Sequence, residues 1–188
     1  MSLRWLPNAL TVVRIALVPL IMAAIVLGQF ANATWLFLAA GFSDALDGWL
    51  ARRFGWRTAT GAILDPIADK LLIVSTFLTL AWTAMVPRWL AVVVILRDLF
   101  IVAGGVFYQA RYKDFEGAPS RSGKLSTLLL ITTVLSVLIH ASGWLPVSVL
   151  TMPWPGLGWL AALVTLLVIS TIGYWREGMR RAAAKEAA

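Results

Sequence analysis

Four aspartates stand at fixed intervals in the string Asp44-x2-Asp47-Gly48-x2-Ala51-Arg52-x8-Gly61-x3-Asp65-x3-Asp69. Asp44 and Asp47, three residues apart, project from one face of a helix, and Asp65 and Asp69, four apart, do the same. The connection between the pairs is short, so the two helix ends must be neighbours and the carboxylates converge. Four negative charges within several Å repel one another unless cations sit between them. Oxygen-only ligation, without His or Cys, selects a hard ion: Mg²⁺ or Mn²⁺, with Ca²⁺ in competition.

The residues between the aspartates suit a metal-phosphate site. Gly48 and Ala51 lie one helical turn past Asp44 and Asp47, and Gly61 lies one turn before Asp65. Their lack of bulk lets a flat base or a phosphate approach the helix backbone. Arg52 offers a planar positive fork to a diphosphate. Carboxylates, divalent ions and an arginine beside small residues describe cleavage of a phosphoanhydride.

The elements that must position these residues are membrane helices. The chain has 188 residues, 60% hydrophobic and 13% charged, with a mean hydropathy of +0.84. That balance excludes an ordinary soluble domain and leaves one polytopic membrane bundle, a single domain over residues 1–188. An ionised Asp costs roughly 2.5–3.5 kcal/mol at the centre of a spanning helix, so the cluster demands compensation. The chain has no cysteine, which removes thiol chemistry and Cys-based metal sites. The net charge of +7 points, in so apolar a chain, to anionic lipid and lipid phosphate and not to nucleic acid.

Six apolar runs of spanning length are expected at about 9–28, 33–51, 61–85, 88–110, 124–141 and 156–175. Lys and Arg gather in alternate connections: Arg4, then Arg52, Arg53 and Arg57, then Arg111, Lys113, Arg121 and Lys124, then Arg176, Arg180, Arg181 and Lys185. The positive-inside rule therefore predicts an all-α bundle of six transmembrane helices with both termini cytoplasmic. Residues 1–8 read as an interfacial segment, the first apolar run as a retained helix and not a cleaved signal, and 176–188 as a cytoplasmic tail in the form of a frayed helix. Many of the ten tryptophans fall near helix ends, as an interfacial belt does.

At the aspartate string the chain resembles the CDP-alcohol phosphotransferase (CDP-alcohol phosphatidyltransferase) family, whose pattern D-x2-D-G-x2-A-R-x8-G-x3-D-x3-D is present here without a gap. The resemblance implies that Asp44, Asp47, Asp65 and Asp69 hold two divalent ions on the diphosphate of CDP-diacylglycerol. It implies that Gly48, Ala51, Arg52 and Gly61 help seat the cytidine nucleotide. Asp69 would be the general base that deprotonates the acceptor hydroxyl, and CMP would leave. It further implies an enzyme of phospholipid synthesis in the cytoplasmic (inner) membrane, its active site on the cytoplasmic side, surrounded by membrane lipids and forming a homodimer.

Charged residues outside the string should choose the acceptor. Arg97, mid-span beside Asp98, either pairs internally or binds acceptor phosphate. Lys124 is a second candidate or an interfacial anchor, and Arg14 a third or a side chain snorkelling to the interface. Phosphatidylglycerophosphate synthases resemble the chain in Pro7-Asn8-x-Leu10-Thr11-x-x-Arg14 and Leu64-Asp65-Pro66-x-Ala68-Asp69-Lys70, but they carry a further Arg where this chain has Gly105. CMP-forming cardiolipin synthases resemble it through Arg97-Asp98, Val106-Phe107-Tyr108 and Pro119-Ser120…Lys124-Leu125-Ser126-Thr127, with Ser126 in place of their usual Asn. The balance leans to phosphatidylglycerol as acceptor, with glycerol 3-phosphate as the alternative. An ion or proton transporter is the remote reading, since it would need carboxylates on both sides of the midplane.

Overall fold

The computed structural model describes residues 6–54, 59–112, 121–146, 148–151 and 153–186. Within them lie α1 (Leu6–Val26), α2 (Phe30–Phe54), α3 (Ala59–Trp82), α4 (Arg88–Tyr112), α5 (Arg121–Ala141) and α6 (Pro153–Glu186), and no strand. Each expected apolar run falls on one helix. At the C-terminal end the expected tail is helical, and α6 runs unbroken from the apolar segment to Glu186. Residues 176–186 are rich in Ala, Arg, Lys and Glu, which hold helix well in water. The expected interfacial segment lies largely outside the described residues, as does residue 56.

Among the described residues, three helices have stretches long and apolar enough to cross a membrane: Ala9–Val26, Gly123–Ala141 and Gly156–Arg180. The remaining three, α2, α3 and α4, are the ones that carry the acidic pairs and Arg97-Asp98.

The helices group into two compact units, Met1–Val86 with Val134–Ser148, and Pro87–Thr133 with Val149–Ala188. In the first, α1 packs on both α2 and α3. Its inward stripe is Thr11, Arg14, Val18, Ile21 and Ile25, all buried at alternating spacings of three and four. That is the period of one helix face turned to its neighbours. Opposite it, α2 buries Ala33, Phe37, Ala40, Ser43 and Asp47, and α3 buries Ala68, Leu72, Thr76 and Leu80. Small residues such as Ala33, Ala40 and Ala68 let backbones approach, which is how helices gain packing energy where lipid already solvates apolar surface. Some buried hydroxyls are satisfied within their own helices, Thr34 donating to the Phe30 carbonyl and Thr76 to that of Leu72. Apolar surroundings therefore leave them no unmet demand.

Three helices of this unit stop in the same way. After α1, Gly28 takes φ +71° while its N–H reaches Ile25 O and Gln29 N–H reaches Ala24 O. Gly143 after α5 and Ala84 after α3 repeat the pattern. This is the Schellman closure, which satisfies the last carbonyls and reverses the chain. The α1–α2 reversal places the start of α1 and the end of α2 at one end of the unit, and the start of α3 joins them there. Trp35 and Trp144 meet edge-to-face with centroids 5.6 Å apart at the other end.

In the second unit α4 packs on α6. Gly104 makes this possible, because a Cβ there would stand 3.3 Å from Tyr174 Cε1 and 3.7 Å from the Trp175 ring. This is a close helix-helix contact, while the surroundings of Gly105 lie outside the described residues. Trp159 departs from the belt pattern: its indole Nε1 donates to Thr133 Oγ1 at 2.9 Å, a bond between α6 and α5.

Candidate active site

The inner stripes of α1, α2 and α3 are apolar along most of their length and turn polar at a single end. There α1 contributes Thr11 and Arg14, α2 contributes Asp44 and Asp47, and α3 contributes Asp65 and Asp69. Arg14, with no exposed surface, stands between the carboxylates. Its Nη1 donates to Asp69 Oδ1 at 2.8 Å, and its Nη2 donates to Asp47 Oδ2 at 2.5 Å and lies 3.0 Å from Asp44 Oδ1. Thr11, equally buried, donates its hydroxyl to Asp65 Oδ1 at 2.6 Å. All four aspartates are thus held by the first helix.

Exposure gives the cluster a floor and a mouth. Arg14 and Asp47 are sealed, with side chains 0% and 4% exposed. Asp44 and Asp69 are near half exposed, at 45% and 44%. A ligand therefore meets Asp44 and Asp69 first, over a buried Arg14–Asp47 pair. Burying such a pair requires near-complete hydrogen bonding to offset desolvation. Arg14 falls short of that, since its Nε has no hydrogen-bond partner among the described residues.

The structure revises one expectation. Arg14 does not snorkel to the interface: it is buried, and its guanidinium faces carboxylates. Ion pairs to Asp44, Asp47 and Asp69 come from Arg14 of α1. Thr11 and Arg14 form the part of the site that spacing within the aspartate string does not reveal. Their signal is the α1 stripe itself, where two polar residues continue a buried apolar face.

Gly61 is buried and Gly48 half-buried, each on the helix that carries an acidic pair. The side chains of Ala51 and Arg52 lie outside the described residues. Arg97 and Lys124 belong to the second unit. Arg97 donates to Asp98 at 2.6 Å and to Ser126 Oγ at 3.1 Å, with Ser170 Oγ at 3.4 Å. The internal pair is therefore formed, and α5 and α6 supply further acceptors. Lys124 is exposed on the first turn of α5, and His140 contacts the Leu145 carbonyl at the far end of that helix.

The donor set is right for hard divalent ions, being four carboxylates from two helices and one hydroxyl. Their present geometry is centred on Arg14, and among the described residues no three acidic or His side chains are arranged around a common ion position. The chemistry fits; the arrangement is that of carboxylates gathered on a guanidinium.

A chain whose described elements are all helices, several of them long and apolar enough to cross a membrane, with a partly buried carboxylate cluster at one end of a helix group, has the make-up of a membrane protein. Residues 4–169 match the CDP-alcohol phosphatidyltransferase family, and the chain belongs to that family. It is 33% identical over 182 residues to a cardiolipin synthase (CMP-forming) of Streptomyces coelicolor, covering 93% of this chain and 79% of that protein. It is 31% identical over 179 residues to the CDP-diacylglycerol–glycerol-3-phosphate 3-phosphatidyltransferase of Bacillus subtilis, covering 86% and 90%. With the human cardiolipin synthase (CMP-forming) it shares 38% identity over 109 residues, 57% of this chain but 36% of the human protein. The eight-position aspartate string, the all-α architecture and the family membership agree.

Proposed function

We propose that the chain moves the phosphatidyl group of CDP-diacylglycerol to a hydroxyl of a glycerol-type acceptor and releases CMP, with phosphatidylglycerol as the favoured acceptor and cardiolipin as product. The observation that carries the reading is the convergence of Asp44, Asp47, Asp65 and Asp69 at one end of α1–α3, fixed there by Arg14 and Thr11. The four aspartates would hold two ions, Mg²⁺ or Mn²⁺, which when bound neutralise the diphosphate and stabilise the leaving CMP.

The chain's own residues do the rest. Asp69, half exposed at the mouth, accepts the proton of the acceptor hydroxyl. The acceptor oxygen forms a bond to the phosphorus bearing diacylglycerol as the phosphoanhydride bond to CMP breaks. Thr11 orients Asp65, and Arg14 holds buried Asp47 in place until ions bind. Gly48 and Gly61, with Ala51 and Arg52, seat the cytidine nucleotide against the ends of α2 and α3.

The Lys and Arg distribution supports six spans with both termini cytoplasmic and a site on the cytoplasmic side of the inner membrane. The homodimer is part of the same reading.

Acceptor choice rests on two supports: the Arg97-Asp98 pair with Lys124, and the absence of an arginine at Gly105. Glycerol 3-phosphate is the second reading, favoured by the likeness to the Bacillus subtilis enzyme over nearly its whole length. The discriminating experiment supplies labelled CDP-diacylglycerol with each acceptor separately and identifies the lipid formed. Cardiolipin from phosphatidylglycerol supports the first reading; phosphatidylglycerophosphate alone replaces it with the second.

A further inference from the structure

Three of the four carboxylates are held together by a cation the protein itself supplies, and that cation is incompletely satisfied. Arg14 reaches three carboxylates through two nitrogens, while Nε, also buried, has no partner among the described residues. A guanidinium serving only to anchor a fold would be expected to fill its five donors. The carboxylates it binds come from α2 and α3, 33 and 55 residues away for Asp47 and Asp69. Without a positive charge among them, the ends of α2 and α3 would repel.

We propose that Arg14 is the built-in counter-cation of the carboxylate cluster: it keeps Asp44, Asp47 and Asp69 gathered when no divalent ion is bound, and it yields its place among them when ions bind. Arg14 is then a positioning residue and not a catalytic one. It makes the ion-free protein stable, and it weakens ion affinity by competing for the same oxygens. The two effects are one by linkage, since whatever stabilises the ion-free state more than the ion-bound state raises the dissociation constant of the ion. This inference rests on the reading of the aspartates as a divalent-ion site.

The test uses the full chain in detergent or nanodiscs, with wild type compared with Arg14→Gln. Melting temperature is measured in chelator and at saturating Mn²⁺, and Mn²⁺ binding is measured by electron paramagnetic resonance. Arg14→Gln is expected to melt below wild type in chelator, to regain most of that loss in Mn²⁺, and to bind Mn²⁺ roughly tenfold or more tightly. That is the scale expected when one unit charge is removed from several Å away. An equal loss in both buffers, or unchanged or weaker Mn²⁺ binding, overturns the proposal and leaves Arg14 a structural anchor.

Should Arg14→Gln not be recoverable, Arg14→Lys keeps the charge and loses the fork. It is then expected to melt below wild type in chelator with the difference closing in Mn²⁺, and a difference that persists overturns the idea. If wild type itself neither binds Mn²⁺ nor shifts its melting temperature, the ion-site reading fails and the proposal with it.

Discussion

The bond from Thr11 to Asp65 offers a clean perturbation, because Thr11→Val exchanges a hydroxyl for a methyl of nearly the same size. No cavity opens, so the effect is that of losing the hydroxyl's polar contacts, with the bond to Asp65 among them. At 2.6 Å the contact lies in the short range typical of a hydroxyl donating to a carboxylate. Bonds to charged groups are worth about 1.5–3 kcal/mol. Thr11 is fully buried, but Asp65 is partly exposed and can recruit water, so the lower end, about 1.5 kcal/mol, is the better figure. Part of that falls on fold stability and part on the orientation of Asp65. If Asp65 binds ion, losing its orienting partner weakens apparent ion affinity by about tenfold, the low end of the 10–100-fold range for such partners. The assay titrates Mg²⁺ or Mn²⁺ against CMP release, alongside melting temperature. Thr11→Val should need about ten times more ion and approach wild-type turnover at saturation, while Thr11→Ser should behave as wild type. A Thr11→Val enzyme with wild-type ion dependence and wild-type melting would refute the role given to α1.

Three further outcomes follow from the same geometry. Asp69→Asn should lower turnover by about 10²–10⁴-fold if Asp69 takes the acceptor's proton, in protein that remains folded by melting analysis; near-wild-type turnover would exclude it as the base. Asp98→Asn removes the charge paired with a largely buried Arg97, whose side chain is 12% exposed; a loss of up to about 3–5 kcal/mol in stability is expected from denaturant titration. Gly156→Ala would place a Cβ 2.9 Å from the Val149 carbonyl oxygen, which is backbone and cannot rotate away; a destabilisation of about 1–3 kcal/mol should appear as a lower melting temperature.

Much of the site was legible from spacing alone, for a physical reason. Intervals of three and four on a helix fix a shared face, so Asp44 with Asp47 and Asp65 with Asp69 declare themselves without tertiary information. The Arg97–Asp98 pair was one of two readings the sequence allowed, and the structure forms it. What spacing could not disclose was the donor of the counter-charge. Arg14 lies 33 residues from Asp47, and nothing local distinguishes it from the other basic residues near helix ends. Only the register of α1, with Thr11 and Arg14 continuing Val18, Ile21 and Ile25, brings it inward. The helix order was equally readable from the apolar runs. Among the described residues α2, α3 and α4 have no stretch that meets the hydropathy of a membrane span, because the charges these helices carry dilute it.

The central claim is that the carboxylate cluster performs divalent-ion-dependent phosphatidyl transfer. Purified full-length chain should be incubated with CDP-diacylglycerol and phosphatidylglycerol, and CMP and lipid products measured with Mn²⁺ or Mg²⁺ and again in excess chelator. CMP and a phosphatidyl-transfer product appearing in equal amounts with ion, and neither appearing in chelator, is the predicted result. Equal product formation in chelator by the same preparation would contradict it.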